Sequence, residues 1–311
     1  MASRYTKLPI EAVNDHKHHG VVVPMVTPVN GHGALDEPAV DRLVDFLLAG
    51  RVNGVFVLGT TGEGTAVPHE YRRRIVERTA ARVRGRAKVY AGLGGLFPHE
   101  ITSGNQYLRA GADAIVAHPP QAYPVRDLPA WFGSLLDGLE GPLIIYNIPQ
   151  IAGVSIPLEQ VGALAGHPNL IGIKDSENNP KRLEELMARF GGREDFTIFV
   201  GVGALMARGL KLGAHGIVPS VGNLIPEVCH QLYECARARD WTGVEQTAAR
   251  MNSVAALYQG GRTLGESLAA LKAALHVRGL CSPNVLPPLN PINGHELDKL
   301  RNQMGELRLL S

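Results

Sequence analysis

The sequence of 311 residues is poor in cysteine, in net charge and in long apolar runs. Cys229, Cys235 and Cys281 form no CxxC pair, which excludes a zinc knuckle or a dithiol redox motif, and their odd number argues against a disulfide framework. No run of about 18 apolar residues occurs, and residues 1–20 contain no apolar leader segment. We therefore expect a cytoplasmic protein with reduced thiols and no membrane partner.

The two signs of charge nearly cancel, because 31 lysines and arginines face 29 aspartates and glutamates. This balance provides no broad positive field for nucleic acid or an anionic membrane. Arginines do cluster between Arg72 and Arg86, but apolar residues recur there at helical spacing, which is typical of an amphipathic helix with a solvated charged face. Its apolar side would be Ile75, Val76, Thr79 and Val83. We expect no nucleic-acid partner.

Short apolar runs rich in β-branched residues alternate with longer helical segments from Gly20 onward, which is typical of repeated βα units. Several runs are apolar throughout, as expected for parallel strands covered on both faces. The eight candidate strands are 21–25, 52–59, 87–92, 113–118, 142–147, 170–175, 196–201 and 214–219. Eight such units predict an α/β fold, a closed (β/α)8 TIM barrel.

Strand signals stop near residue 225, and only helical patterns follow. We predict an N-terminal arm over residues 1–19, the barrel over 20–238 and a C-terminal helical extension over 239–311. One helix of this extension is indicated by a stripe at Leu264, Leu268, Leu271 and Leu275. The extension would serve as an interface or a lid.

Active sites of such barrels lie at the C-terminal ends of the strands, and among the lysines only Lys174 has this position. Its apolar flank would desolvate the ammonium and favour the neutral amine that attacks a carbonyl. Strand alternation predicts that Lys174 and Gly172 face inward, the glycine leaving room for a ligand. Ile171 and Ile173 would face outward. An alternative interpretation is a structural ion pair between Lys174 and an acid such as Asp175.

Two other strand ends carry candidate site residues. Tyr146, in the sequence YNIP, ends the fifth strand on its inward side, where a lysine cation would stabilise a phenolate for proton transfer; packing at the rim is the alternative. The turn GTTGEG at residues 59–64 follows the second strand. Its backbone N–H groups and the hydroxyls of Thr60 and Thr61 would form a concave site for a carboxylate or single phosphate. Its glycine order matches no nucleotide-binding motif, and HExxH and GxSxG are absent.

Three linked segments, GTTGE at 59–63, YNIP at 146–149 and GIKDS at 172–176, lie in this order on strands two, five and six. With the later segment LAALKAALHVRGL…LPPLNPI, the sequence resembles the dihydrodipicolinate synthase / N-acetylneuraminate lyase family from Gly20 to Asn293. The resemblance implies that Lys174 forms a Schiff base with pyruvate or another 2-keto acid, the protonated imine then serving as an electron sink. It also implies a homotetramer of tight dimers and no metal or organic cofactor.

The resemblance further implies roles for individual residues. Tyr146 would shuttle the proton, relayed by the Thr60 hydroxyl, and the amides of Thr60 and Thr61 would hold the substrate carboxylate. The other groups that face the substrate in relatives are the carbonyl of Val218 and the hydroxyls of Ser176 and Ser220.

The sequence departs from the family pattern at three places. Ile151 stands where dihydrodipicolinate synthases usually carry an arginine that holds the carboxylate of aspartate semialdehyde. Gly203 and Ala204 replace the acidic pair of N-acetylneuraminate lyases. The tyrosine that relatives insert into a neighbouring subunit's site corresponds to Gln121 or, with a shift in the alignment, to Tyr123.

We therefore predict a Schiff-base lyase, either an aldolase or a dehydratase, that acts on a 2-keto-3-deoxy sugar acid or a related pyruvate-yielding substrate. One alternative is a dihydrodipicolinate synthase that holds its second substrate differently. Alternatives from another class are a non-catalytic 2-keto-acid binding protein and a phosphate-binding barrel isomerase that uses the glycines near Gly201 and Gly222.

Overall fold

The computed structural model describes residues 17–94, 100–120 and 125–310. Its parallel strands form a closed barrel in sequence order, and the eighth strand pairs with the first. The strands are β1 Gly20–Pro24, β2 Gly54–Val57, β3 Lys88–Leu93, β4 Ala114–Ala117, β5 Leu143–Asn147, β6 Leu170–Asp175, β7 Thr197–Val200 and β8 Gly216–Ile217. The predicted (β/α)8 TIM barrel is confirmed.

Each strand overlaps its predicted run, and the largest differences lie at the strand ends. β2 ends at Val57 because Leu58 adopts a φ of 59°, which turns the chain out of the sheet. β8 has only two residues, since a short 3-10 helix, Ser220–Asn223, begins soon after it. The Asn223 side-chain amide donates to the Pro24 carbonyl and joins this turn to β1.

Helices connect the strands and cover the outside of the barrel. Local sequence marks where they begin: the Asp36 carboxylate accepts from the Ala39 amide, and Asn179 caps another helix in the same way. The barrel helices are α1 Glu37–Ala49, α2 His69–Val83, α3 Glu100–Arg109, α4 Leu128–Gly138, α5 Pro149–Ala152, α6 Leu158–Leu164, α7 Pro180–Phe190, α8 Gly203–Lys211 and α9 Pro226–Arg237.

The arginine-rich segment is the outer face of α2. The buried side chains of this helix are those predicted: Ile75, Val76, Thr79 and Val83. On the opposite side, arginines one helical turn apart pair with acids one turn apart on α1: Arg74 with Glu37, Arg78 with Asp41 and Arg82 with Asp45. These solvated pairs add little to stability, but they neutralise the arginines in place.

The barrel interior is filled by its own apolar cluster, which includes Phe56, Tyr90 and Phe199. Ile171, which we predicted to face outward, packs against this cluster, because the pairing of β5 with β6 shifts register at the start of β6. The glycine that follows it has a different role from the predicted one. A Cβ at Gly172 would clash with the backbone of Thr197, so the glycine lets β6 approach β7 and leaves no space for a ligand.

A buried histidine lies at the N-terminal end of the barrel. His18 is 5 % exposed, and its Nδ1 lies 3.0 Å from the Tyr90 hydroxyl. Burial, with the nearby cations of Lys88 and Lys17, lowers the pKa of His18 from 6.5 to about 4. Between these two values the unfolded chain binds a proton that the folded chain does not, so acid favours unfolding.

We expect the free energy of unfolding to fall by about 3 kcal/mol between pH 6.5 and pH 4 through His18 alone. His18→Gln keeps a polar side chain but cannot titrate, and it should remove this part of the pH dependence. Urea unfolding of both proteins at pH 7, 5.5 and 4 measures the difference. If the free energy of unfolding falls equally with pH in both proteins, His18 does not couple folding to protonation.

Helices alone follow the barrel in the described part of the chain: α10 Trp241–Gln259, α11 Leu264–Val277 and α12 Gly294–Glu306. The leucine stripe predicted for α11 is only partly buried. Leu271 and Leu275 are inaccessible, whereas Leu264 is 50 % exposed. The division into arm, barrel and extension remains a prediction. None of the described helices combines the length and the apolar character needed to cross a membrane.

Candidate active site

Lys174 and Tyr146 lie side by side at the C-terminal ends of β6 and β5, where they are paired in the sheet register. The Lys174 Nζ lies 3.8 Å from the centroid of the Tyr146 ring and 4.8 Å from that of Phe56. Lys174 is 5 % exposed and Tyr146 is 4 % exposed. The amine is therefore held against two aromatic faces with little contact to water.

The alternative ion pair between Lys174 and Asp175 is wrong. The Asp175 carboxylate instead accepts from Nε of Arg182 at 2.8 Å and from the side-chain amide of Asn147 at 2.9 Å. Burial raises the pKa of Asp175, although the Arg182 cation opposes this shift. Among the described residues, no carboxylate lies within ion-pair distance of Lys174. Asp175 thus anchors the loop after β6 and leaves the amine unpaired.

The Tyr146 hydroxyl has a polar environment inside an otherwise apolar region. Its oxygen lies 3.5 Å from the Thr60 hydroxyl. Burial alone would raise the pKa of Tyr146, but the Lys174 charge and hydrogen bonds with Thr60, Lys174 and Ser176 outweigh it, so the pKa lies below its usual value. Tyr146 is thus suited to release and recover a proton.

The GTTGEG turn brings two amides to the same end of the barrel. The amides of Gly62, Glu63 and Gly64 donate to carbonyls within the turn, whereas none of the described carbonyls accepts from those of Thr60 and Thr61. A Cβ at Gly64 or Gly92 would clash with the Leu58 carbonyl, so both glycines are needed for this close approach. The turn therefore leaves two N–H groups available to an anion.

Among the remaining predicted residues, the structure describes Ser176, Val218 and Ser220. Ser176 adjoins the lysine: a Cβ at Gly201 would clash with its hydroxyl and would lie 3.1 Å from Cε of Lys174. Gly201 thus makes room for both side chains, a role that sequence reasoning missed. Val218 belongs to the interior cluster, whereas the Ser220 hydroxyl lies 2.7 Å from the Tyr258 hydroxyl on α10. Gln121 and Tyr123 lie outside the described residues.

A cavity of about 180 Å³ opens beside Tyr146. Its wall is mainly apolar and combines residues of the barrel with residues of the extension. Thr60, His118 and Ile151 contribute from the barrel, and Leu264 and Leu268 contribute from α11. Helix α11 therefore forms one wall of the cavity.

A second lysine that sequence reasoning did not select supports this site. Lys272 on α11 is 1 % exposed and pairs at 2.5 Å with Glu63 of the GTTGEG turn, itself 2 % exposed. The other Glu63 oxygen accepts from the Leu286 amide, and Lys272 Nζ also donates to the Asn284 carbonyl. The sequence contains one indication of this pair: Lys272 lies in the apolar run LAALKAAL, and a buried lysine requires a partner.

These features define the class of the protein: a (β/α)8 barrel whose candidate site is built around a lysine and a tyrosine at neighbouring strand ends. The profile of the dihydrodipicolinate synthetase family matches residues 17–307. The chain belongs to this family and is a lyase. The predicted family is thereby confirmed.

Individual relatives are similar over nearly the whole chain. The 4-hydroxy-tetrahydrodipicolinate synthase of Phenylobacterium zucineum is 31 % identical over 281 residues, which cover 89 % of this chain and 93 % of the relative. An uncharacterized DapA-like lyase of Halobacterium salinarum is 30 % identical over 94 % of this chain and 95 % of its own length.

Solved structures agree with this similarity. The dihydrodipicolinate synthase of Bacteroides thetaiotaomicron superposes with a TM-score of 0.88 at 30 % identity, covering 93 % of this chain and 98 % of that one. YagE of Escherichia coli K12, a prophage protein of the dihydrodipicolinic acid synthase family solved in complex with pyruvate, has a TM-score of 0.88 at 28 % identity, with coverages of 94 % and 99 %.

Proposed function

We propose that this lyase forms a Schiff base between Lys174 and a 2-keto acid, and that it acts as an aldolase or dehydratase on a 2-keto-3-deoxy sugar acid or a related pyruvate-yielding substrate. The observation that carries the proposal is the buried Lys174 amine, which has no carboxylate partner among the described residues and lies against Tyr146. An unpaired amine in an apolar environment is suited to attack a carbonyl.

The proposed reaction begins when the Lys174 ammonium gives up one proton through Tyr146 and Thr60, and the lone pair of Nζ attacks C2 of the keto acid. That proton returns to the former carbonyl oxygen, which leaves as water with a second proton from Nζ, so a protonated imine remains. The imine accepts an electron pair from the C3–C4 bond in an aldolase, or from the C3–H bond in a dehydratase, in which the C4 hydroxyl group then leaves as water. Tyr146, with Thr60, would carry the proton, and the amides of Thr60 and Thr61 would hold the carboxylate. Ser176, Val218 and Ser220 are proposed to complete the substrate site.

The pyruvate complex of YagE supports a small 2-keto acid as the ligand. The residues that line the cavity suggest the chemistry of the rest of the substrate, beyond the 2-keto acid group. Ile151 on α5 lines the cavity and packs against the interior cluster, so its apolar side chain offers nothing to bind a carboxylate. We therefore propose a substrate whose distal part is uncharged where it meets Ile151, rather than one that has a second carboxylate there.

Reductive trapping tests the Schiff base directly. The protein is incubated with pyruvate and sodium borohydride. The masses of the intact protein and of its peptides are then measured by mass spectrometry. We expect a mass increase equal to pyruvate less one oxygen atom, located on the peptide that contains Lys174. A folded protein without this adduct would instead support a non-catalytic 2-keto-acid binding protein or a phosphate-binding isomerase.

A second candidate function is 4-hydroxy-tetrahydrodipicolinate synthase, because several relatives about 30 % identical to this chain have that name. This enzyme would condense pyruvate with aspartate semialdehyde in the same imine site. Incubation with both compounds, followed by dipicolinate-type absorbance, separates the candidates. Robust turnover would contradict the role that we assign to Ile151.

Tyr146→Phe is expected to slow proton transfer by about 10²–10⁴-fold while some imine still forms. The substitution removes the hydroxyl near Thr60 and keeps the ring under Lys174. Hydrogen–deuterium exchange at the pyruvate methyl group, followed by NMR, measures the rate, and reductive trapping measures the imine. Tyr71→Phe on the outer helix α2 is the matched control. Unchanged exchange in Tyr146→Phe would remove Tyr146 from the proton path.

We further propose a cytoplasmic homotetramer that needs no metal or organic cofactor, as the family resemblance implies. Light scattering of the purified protein tests the subunit number. Activity after treatment with a chelator tests the independence from metal.

A further inference from the structure

His118 follows β4 and lines the cavity at the C-terminal end of the barrel. It is 7 % exposed, and its ring meets that of Tyr146 edge-on at a centroid separation of 5.8 Å. The histidine thus lies next to the proposed proton carrier, on the wall of the space that the distal part of a substrate would occupy.

The hydrogen bond of His118 determines which ring nitrogen carries the proton. Nδ1 lies 2.8 Å from the Pro119 carbonyl oxygen, which can only accept, so Nδ1–H is the donor. Burial and the Lys174 charge lower the pKa of His118, although the Pro119 bond opposes the shift, and the ring is therefore neutral at pH 7. In this tautomer, Nε2 carries a lone pair and is an acceptor only.

The Nε2 atom is available to a ligand. Among the described residues it has no hydrogen-bond partner, whereas the Glu63 carboxylate in the same cavity is bound to Lys272 and to the Leu286 amide. Gly94 also borders this nitrogen: a Cβ at Gly94 would clash with Nε2. The glycine therefore keeps the face of the nitrogen open.

We propose that Nε2 of His118 accepts a hydrogen bond from a hydroxyl group on the part of the substrate beyond C3 and so selects hydroxylated 2-keto acids. This inference rests on the proposed function, because it assumes that C2 is held as an imine on Lys174. An acceptor-only nitrogen attracts a hydroxyl, which donates, and repels a carboxylate, which also accepts. His118 would act with Ile151 in excluding a second carboxylate.

The experiment compares two acids that differ by one hydroxyl, 4-hydroxy-2-oxopentanoate and 2-oxopentanoate. Each competes with isotopically labelled pyruvate for reductive trapping at Lys174, so adducts from the competitor, intact or cleaved, are distinguished by mass. We expect the wild-type protein to prefer the hydroxylated acid roughly five- to tenfold. His118→Leu should reduce this preference to about one, because it removes the acceptor.

Two further variants complete the test. Gly94→Ala covers Nε2 with a methyl group and should also abolish the preference, which keeps the inference testable should His118→Leu fail to fold. His32→Leu removes an exposed histidine that does not line the cavity and should keep the preference. A wild-type preference near one, or one retained in both His118→Leu and Gly94→Ala, overturns the role of His118. Absence of any pyruvate adduct in the wild-type protein overturns the proposed function itself.

Discussion

Lys174→Ala is expected to abolish the pyruvate adduct and to lower exchange at the pyruvate methyl group by about 10⁴-fold or more. The reason is that the imine is the only electron sink in the proposed reaction, and no other described amine lies against Tyr146. Lys174→Arg should be equally inactive, because a guanidinium keeps its positive charge and cannot form the imine. Mass spectrometry and NMR measure the two effects.

The matched control is Lys181→Ala, which removes an exposed lysine at the beginning of α7. It should retain both the adduct and the exchange rate. An adduct that persists in Lys174→Ala would place the Schiff base elsewhere. Exchange that persists without an adduct would show that the keto acid is activated by a different mechanism.

Lys272→Met is expected to destabilise the protein by about 3–5 kcal/mol, because it leaves the Glu63 carboxylate buried without its partner. Burial lowers the pKa of Lys272 even beside this carboxylate, because both side chains are almost inaccessible to solvent. Glu63 belongs to the turn that presents the Thr60 and Thr61 amides. We therefore expect weaker binding of keto acids as well as lower stability.

Urea unfolding measures the stability change, and the pyruvate concentration for half-maximal trapping measures the binding change. The double variant Lys272→Met/Glu63→Gln should be more stable than Lys272→Met, since no unpaired charge remains. Lys211→Met is the control, because Lys211 pairs with Glu245 at the surface and its loss should cost less than about 1 kcal/mol. If Lys272→Met and Lys211→Met lower the free energy of unfolding by similar amounts, burial of the Lys272–Glu63 pair is not what makes it important.

Local sequence patterns predicted most of the barrel. Each strand is an apolar run whose length and flanking turns are properties of a few adjacent residues, so all eight could be located. The strand-end positions of Lys174 and Tyr146 follow from the same runs, and the register of β5 with β6 places the two side by side. Helix starts such as Asp36 could be predicted because a cap acts over three residues.

Side-chain directions that depend on how a strand pairs with its neighbour could not be predicted from the sequence. Alternation predicted Ile171 outward and gave Gly172 a role in ligand access, but the register shift against β5 turns Ile171 inward. Gly172 is needed instead because β6 lies so close to β7 that a Cβ at this position would clash with the Thr197 backbone. A strand's side-chain direction holds only while its pairing is regular, and that regularity belongs to the sheet.

The sequence by itself determined the fold class, the family and the strand ends where the candidate chemistry lies, because these depend on local patterns and linked motifs. Only the tertiary structure decided which charges are paired. Asp175 bonds to Arg182 and leaves Lys174 unpaired, whereas Lys272 crosses from the extension to Glu63. Asp175 and Arg182 lie on successive elements, and Glu63 and Lys272 are far apart in sequence, so each pair meets only when the chain folds and side-chain partners are a property of the folded molecule.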